Sequence, residues 1–86
     1  MRYKELPEDY ALILQQIHED GGDNVDDLVE TVRVDRGRLV HIISALHNRG
    51  LVTIENVSYG PWLTLSTKGQ RLLRYLWPET AMHYKY

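Results

Sequence analysis

Gly37, His41 and Ser44 stand four and three residues apart, so they share one face of any helix that contains them, with Asn48 further along it. Arg36 and Arg38 flank that face. A guanidinium is a rigid fork of donors that fits a phosphate, or the O6 and N7 edge of guanine, with two hydrogen bonds. Gly37 either lets a backbone come close to something or reflects plain tolerance in a first turn. His41 and Ser44 add small donors and acceptors, though Ser44 also suits an ordinary surface. A helix that needed only a core would be free to carry Glu and Lys here. Short side chains, donors and arginines suit close approach to a polyanion.

The element that must position these residues is residues 34–52, VDRGRLVHIISALHNRGLV. Asp35 is a good N-cap, and Val34 with Leu39 has the spacing of a hydrophobic staple. Leu39, Ile42, Ile43 and Leu46 form the buried stripe. Gly50 sits where a left-handed C-cap residue belongs. A helix over 35–49 follows. Before it, Pro7 opens a helix whose apolar face is Tyr10, Ile13, Leu14 and Ile17, and Gly21-Gly22 ends that helix. Asn24 caps a second helix, with Asp27 in the place of a capping-box acid. Val25, Leu28, Val29 and Val32 give its apolar face. Only Arg33 and Val34 separate it from the cap of the third, so the two helices must cross steeply, as in a helix-turn-helix.

After Gly50 the period changes from 3.6 to 2, and β-branched residues dominate. Tyr59-Gly60-Pro61 turns the chain, and residues 62–65 return as a strand with Pro61 at its start or edge. Ile54, Leu63 and Leu65 are the expected inner face. Ser66 or Thr67 caps a last helix, Thr67 and Gln70 having the spacing of a capping box, and Leu72, Leu73 and Leu76 form its apolar face. Pro78 stops it. The expected class is mainly α with a small β-hairpin: a winged helix-turn-helix with a three-helix core, a two-stranded wing and a C-terminal helix. We expect one domain over residues 1–86, with the core at about 7–77 and a flexible tail at 78–86.

Bulk properties exclude several classes. There is no Cys, hence no disulfide, thiolate metal site or cysteine nucleophile. The four histidines are far apart, and no Gly-rich phosphate loop or nucleophile motif is present, so neither metal, cofactor nor catalysis is expected. No apolar run is long enough to span a bilayer, and the first ten residues have no secretory h-region, so the expected location is cytoplasmic. The formal net charge of −2 does not advertise a nucleic-acid binder. Its distribution is polarised. Residues 19–30 carry six carboxylates and no Lys or Arg. Residues 33–49 carry four arginines against Asp35, and residues 57–77 carry Lys68, Arg71 and Arg74.

The run LHNRGLV at 46–52 and the run LTLSTKG at 63–69 resemble the end of the recognition helix, the wing and the following helix of winged-helix regulators related to the MarR family. Residues 35–44 fill the recognition-helix position. The resemblance covers roughly residues 8–77 and implies sequence-specific binding of double-stranded DNA, as a transcriptional regulator, with helix 35–49 in the major groove. The expected contacts are Arg36, Gly37, Arg38, His41 and Ser44 on that helix, with Arg33, Lys68 and Arg71 on phosphates. Tyr59 at the wing tip is expected along the backbone or in a minor groove, or else packed on Trp62. One such module buries little surface, so a homodimer is expected, through helix 1, helix 4 and the aromatic residues Tyr75, Trp77, Tyr84 and Tyr86. The alternative is a winged-helix protein-interaction module that does not bind DNA. It is favoured by the acidic second helix, the net charge and a wing uncharged beyond Glu55.

Overall fold

Among the described residues seven elements follow one another: α1 (Glu8–Asp20), β1 (Asp23–Asn24), α2 (Val25–Val32), α3 (Arg36–Asn48), β2 (Val52–Val57), β3 (Gly60–Leu65) and α4 (Thr67–Leu76). The structure, a computed structural model, describes residues 6–58 and 60–76. The expected tail at 78–86, and Tyr59, lie outside the described residues, as does Trp77.

Local chemistry sets the helix ends. In α1, Glu8 and Asp9 occupy the first turn, where the helix dipole favours acids. Gly21 closes it in the left-handed region at φ 74°, with the N–H groups of Gly21 and Gly22 donating to the carbonyls of His18 and Ile17. In α2, Asn24 Oδ1 accepts from the Asp27 N–H at 2.8 Å. The second half of the expected box is altered: Asp27 Oδ2 accepts from the Asn24 amide side chain, not from its backbone. In α3, Asp35 Oδ2 accepts from the Arg38 N–H at 3.2 Å. Gly50 ends that helix at φ 75°, and Gly50 and Leu51 donate to the carbonyls of His47 and Leu46. In α4 the cap is Ser66, whose Oγ accepts from the Gly69 N–H at 3.0 Å. Thr67 is already the first helical residue, so the Thr67–Gln70 box does not form and the Gln70 N–H donates to the Ser66 carbonyl.

The hairpin is one part of a three-stranded antiparallel sheet in the order β1-β3-β2. The expected two-stranded wing is present as β2 and β3, and a short strand that was not expected joins the other side of β3. β1 is only Asp23–Asn24, paired with Leu63 and Trp62 of β3. Two residues next to a helix cap carry no period-2 pattern, so sequence periodicity cannot reveal such a strand. Pro61 lies beyond the reach of β1, where its missing N–H leaves no gap in that ladder.

One hydrophobic cluster joins all four helices to the sheet. Ile13, Leu14, Ile17, Leu28, Leu39, Ile42, Leu46, Val52 and Leu63 are its fully buried members. Leu63 lies inward as expected and Leu65 is half-buried. Ile54 is not in the core but 39% exposed. It faces the same way as its cross-strand partner Leu63, but on the edge strand, further towards the wing tip than the buried Val52.

The end of α3 is stitched to the start of α4. Three successive carbonyls accept: Arg49 from Lys68 Nζ at 2.9 Å, Gly50 from Ser66 Oγ at 2.5 Å and Leu51 from the Ser66 N–H at 3.0 Å. The last-turn carbonyls of Ala45, Leu46 and His47 are already taken by the N–H groups of Arg49, Leu51 and Gly50, so α4 satisfies the carbonyls that come just after the helix.

Candidate nucleic-acid interface

Because Leu39, Ile42, Ile43 and Leu46 face the core, α3 must present the opposite side to solvent. Gly37, His41 and Ser44 lie there and are exposed. A methyl group on Gly37 would stand 3.3 Å from Asp35 Oδ2, close enough that the capping carboxylate would have to shift slightly, and would meet nothing else within 4 Å. Val40 stands beside them, 46% exposed, an apolar residue among donors. Sequence reasoning missed it, although its place three residues after Gly37 and four before Ser44 put it on the outer side. An apolar side chain there offers a surface for a thymine methyl group.

The arginines at the leading end are held. Arg36 Nη1 donates to Asp26 Oδ1 of α2 at 2.5 Å, and Arg38 Nη2 donates to Asp9 Oδ2 of α1. Hydrogen bonding from Arg38 holds the Asp9 carboxyl below its ordinary range. Arg33 lies in the turn between α2 and α3 and is exposed. It adopts φ 58°, the one positive φ of a non-glycine among the described residues. Its N–H donates to the Val29 carbonyl and so closes α2, doing the work that glycine usually does.

Lys68 and Arg71 sit at the other end. α3 is 13 residues long, so roughly 20 Å separates them from the Arg36–Arg38 turn at 1.5 Å per residue. The Lys68 ammonium is engaged with the Arg49 carbonyl. The structure thus brings Arg33, Arg36, Gly37, Arg38, His41 and Ser44 together and leaves Lys68 and Arg71 as a separate group. Tyr59 lies outside the described residues.

Elsewhere, Asp23 is 6% exposed and its Oδ2 has no partner. Burial, and then the side chains of Asp20 and Asp27, push its carboxyl up to about 7. Among the described residues no group of three or more His, Asp or Glu could hold a metal ion, and no helix is long and apolar enough to cross a membrane.

The order of elements, the strand order β1-β3-β2 and the exposed face of α3 can be set beside solved structures. BpsR of Bordetella bronchiseptica superposes with a TM-score of 0.81 at 19% identity over 92% of this chain. AbsC, a MarR family transcriptional regulator from Streptomyces coelicolor, superposes with a TM-score of 0.80 at 24% identity over 94% of this chain. The fold is the MarR-type winged helix. A mutant MarR from E. coli complexed with operator DNA shares it, with a TM-score of 0.75 at 20% identity over 81% of this chain. This chain spans 58%, 58% and 52% of those three chains. No protein-family model and no curated protein matches the sequence.

In this MarR-type fold the core takes up part of the apolar faces of the two helices expected to pair. Ile13, Leu14 and Ile17 of α1 and Leu73 of α4 are buried within the chain. Leu12 and Tyr75 are the large apolar residues that those two helices expose among the described residues.

Proposed function

We propose that this protein reads double-stranded DNA as a transcriptional regulator, with α3 in the major groove. The observation that carries it is the outer side of α3: Gly37, Val40, His41 and Ser44 exposed together, with arginines at the leading end, on a fold that one neighbour uses in complex with operator DNA. In a helix-turn-helix the first residues of the second helix meet base edges while the first helix crosses the backbone. Arg36 and Arg38 supply the cationic contacts, His41 and Ser44 the short polar ones, and Val40 the apolar one. Arg33, at the turn, faces the phosphates that flank the groove. Lys68 and Arg71 supply a second phosphate contact at the far end of α3, and Tyr59 the contact of the wing. Pairing of two chains brings two such helices to one duplex and raises specificity.

Duplex binding measured by fluorescence anisotropy across a salt series tests this. Affinity should fall steeply as salt rises, because phosphate contacts release counterions. Arg36→Ala with Arg38→Ala should weaken binding by about tenfold or more and flatten the salt slope. If no duplex binds even at low salt, the reading fails and the protein-interaction module takes its place. That second reading has a specific observation behind it: both arginines are already matched by carboxylates of the same chain.

Gly37→Ala separates function from fold. Ala is favoured over Gly in a helix by about 0.5–1 kcal/mol, but in this first turn the new methyl group also crowds the capping carboxylate of Asp35, so thermal stability should change little. DNA affinity should fall, since the added methyl group stands between the helix backbone and the duplex. Unchanged affinity would mean that the backbone does not approach DNA at Gly37.

A further inference from the structure

The two ion pairs at the leading end of α3 reach across the fold. Arg36 pairs with Asp26, ten residues back, and Arg38 pairs with Asp9, twenty-nine residues back. Asp35, the N-cap, adds a third carboxylate next to them, and Arg33 a third cation. The end of the helix that would meet DNA is therefore close to neutral. Acids in the first turns of α1 and α2 have a local reason to be there, since the helix dipole favours them. The dipole does not require that each be taken by an arginine of α3.

We propose that Asp9 and Asp26 compete within the chain for the two arginines that would hold DNA phosphate, occupying them in the free protein and releasing them when α3 enters the groove. This rests on the DNA-binding reading and adds a control on the same site. A carboxylate and a phosphate present the same kind of acceptor pair to a guanidinium, so one can replace the other without moving the backbone. The intramolecular pairs are solvent-exposed, which makes them weak and easily exchanged. An aspartate is ionised at neutral pH, and Arg38 holds the Asp9 carboxyl lower still, so the competition persists there. A duplex offers several phosphates at once and displaces the carboxylates, but each exchange returns one cation contact less than a free arginine would give. The consequence is restraint. Binding to arbitrary DNA is held down, and a duplex whose base edges also suit Val40, His41 and Ser44 gains most by comparison.

Duplex titrations of the full chain with Asp9→Asn, Asp26→Asn and the double variant test this. Asn keeps the shape and an acceptor but removes the charge. The double variant should bind a mixed-sequence duplex about threefold to thirtyfold tighter at about 100 mM salt, with a steeper salt slope. The gain should vanish when Arg36 and Arg38 are both Ala, which makes the effect a coupling between these residues. The charge control is Glu19→Gln with Glu30→Gln, which changes net charge equally at acids outside the two ion pairs seen among the described residues. Circular dichroism melts establish that each variant is folded. The proposal is overturned if wild type binds and the double Asn variant binds equally or more weakly, since the acids then only orient the arginines. It is overturned as well if the control tightens binding as much. A duplex bound by neither wild type nor any variant would remove the DNA-binding reading itself, and the competition with it.

Discussion

Gly69→Ala is expected to lower the stability of this protein by about 3 kcal/mol, the upper part of what overpacking a rigid contact costs. In an exposed helix the same change would stabilise by up to about 1 kcal/mol, because glycine is a poor helix former. The sign reverses here because α4 begins against the end of α3. A β-carbon on Gly69 would lie 2.1 Å from the Leu51 carbonyl oxygen and 3.1 Å from its carbon. That oxygen cannot move aside. It accepts from the Ser66 N–H, and the neighbouring carbonyls of Gly50 and Arg49 accept from Ser66 Oγ and Lys68 Nζ. Relief would require α4 to pull away from the α3–β2 junction and give up these bonds along with the packing of the buried Leu73. Urea unfolding should show a lower midpoint with an unchanged slope. A midpoint at or above that of wild type would mean that the junction is soft, and that α4 does not fix how α3 is presented.

That contact shows where the sequence was legible and where it was not. The limits of α3 were readable because their causes are local: a carboxylate at the N-cap, a glycine at the C-terminus and an apolar stripe between them. Its outer face followed from the same stripe. Serine and threonine at the start of α4 were also readable as caps, but not which of the two served, since Ser66 is chosen by a partner, the Gly50 carbonyl, sixteen residues away. The partners of Arg36 and Arg38 lie on other helices, and no spacing rule connects residues that a fold brings together. β1 had too few residues to show a period. Asp23 stood in a run of carboxylates that reads as solvated surface. Asp26, Asp27 and Glu30 from that run are indeed exposed, whereas pairing with Leu63 draws Asp23 inward.

Asp23→Asn is expected to stabilise the protein at pH 8 and to do so by much less at pH 5. Asp23 sits where the end of α1, the start of α2 and the central strand meet. Asp20 reaches it from α1 and Asp27 from α2, both acidic, while β3 presents Leu63 and Trp62 in register with β1. No cation contributes to its titration. Asp20 is itself held by Gln16, whose side-chain amide donates to it at 3.1 Å. Desolvation and the two neighbouring carboxylates raise the folded-state value to about 7, against an ordinary 3.8. Between those two values the folded chain binds the proton more tightly than the unfolded chain does. Stability is therefore fully present below about 4, declines as pH rises and is at its lowest above about 7. Asn is neutral throughout and keeps the shape. It removes a buried unpaired charge at alkaline pH, a gain of about 1–3 kcal/mol, and replaces only a protonated carboxyl at pH 5. Wild-type melting temperature should fall between pH 5 and 8 while that of the variant stays level. Asp9 contributes with the opposite sign, since its pair with Arg38 is lost only as pH falls below the ordinary carboxylate range, outside this window. Parallel pH profiles for wild type and variant would show that Asp23 is ionised and solvated at neutral pH, and that the α1–α2–β3 junction opens to admit water.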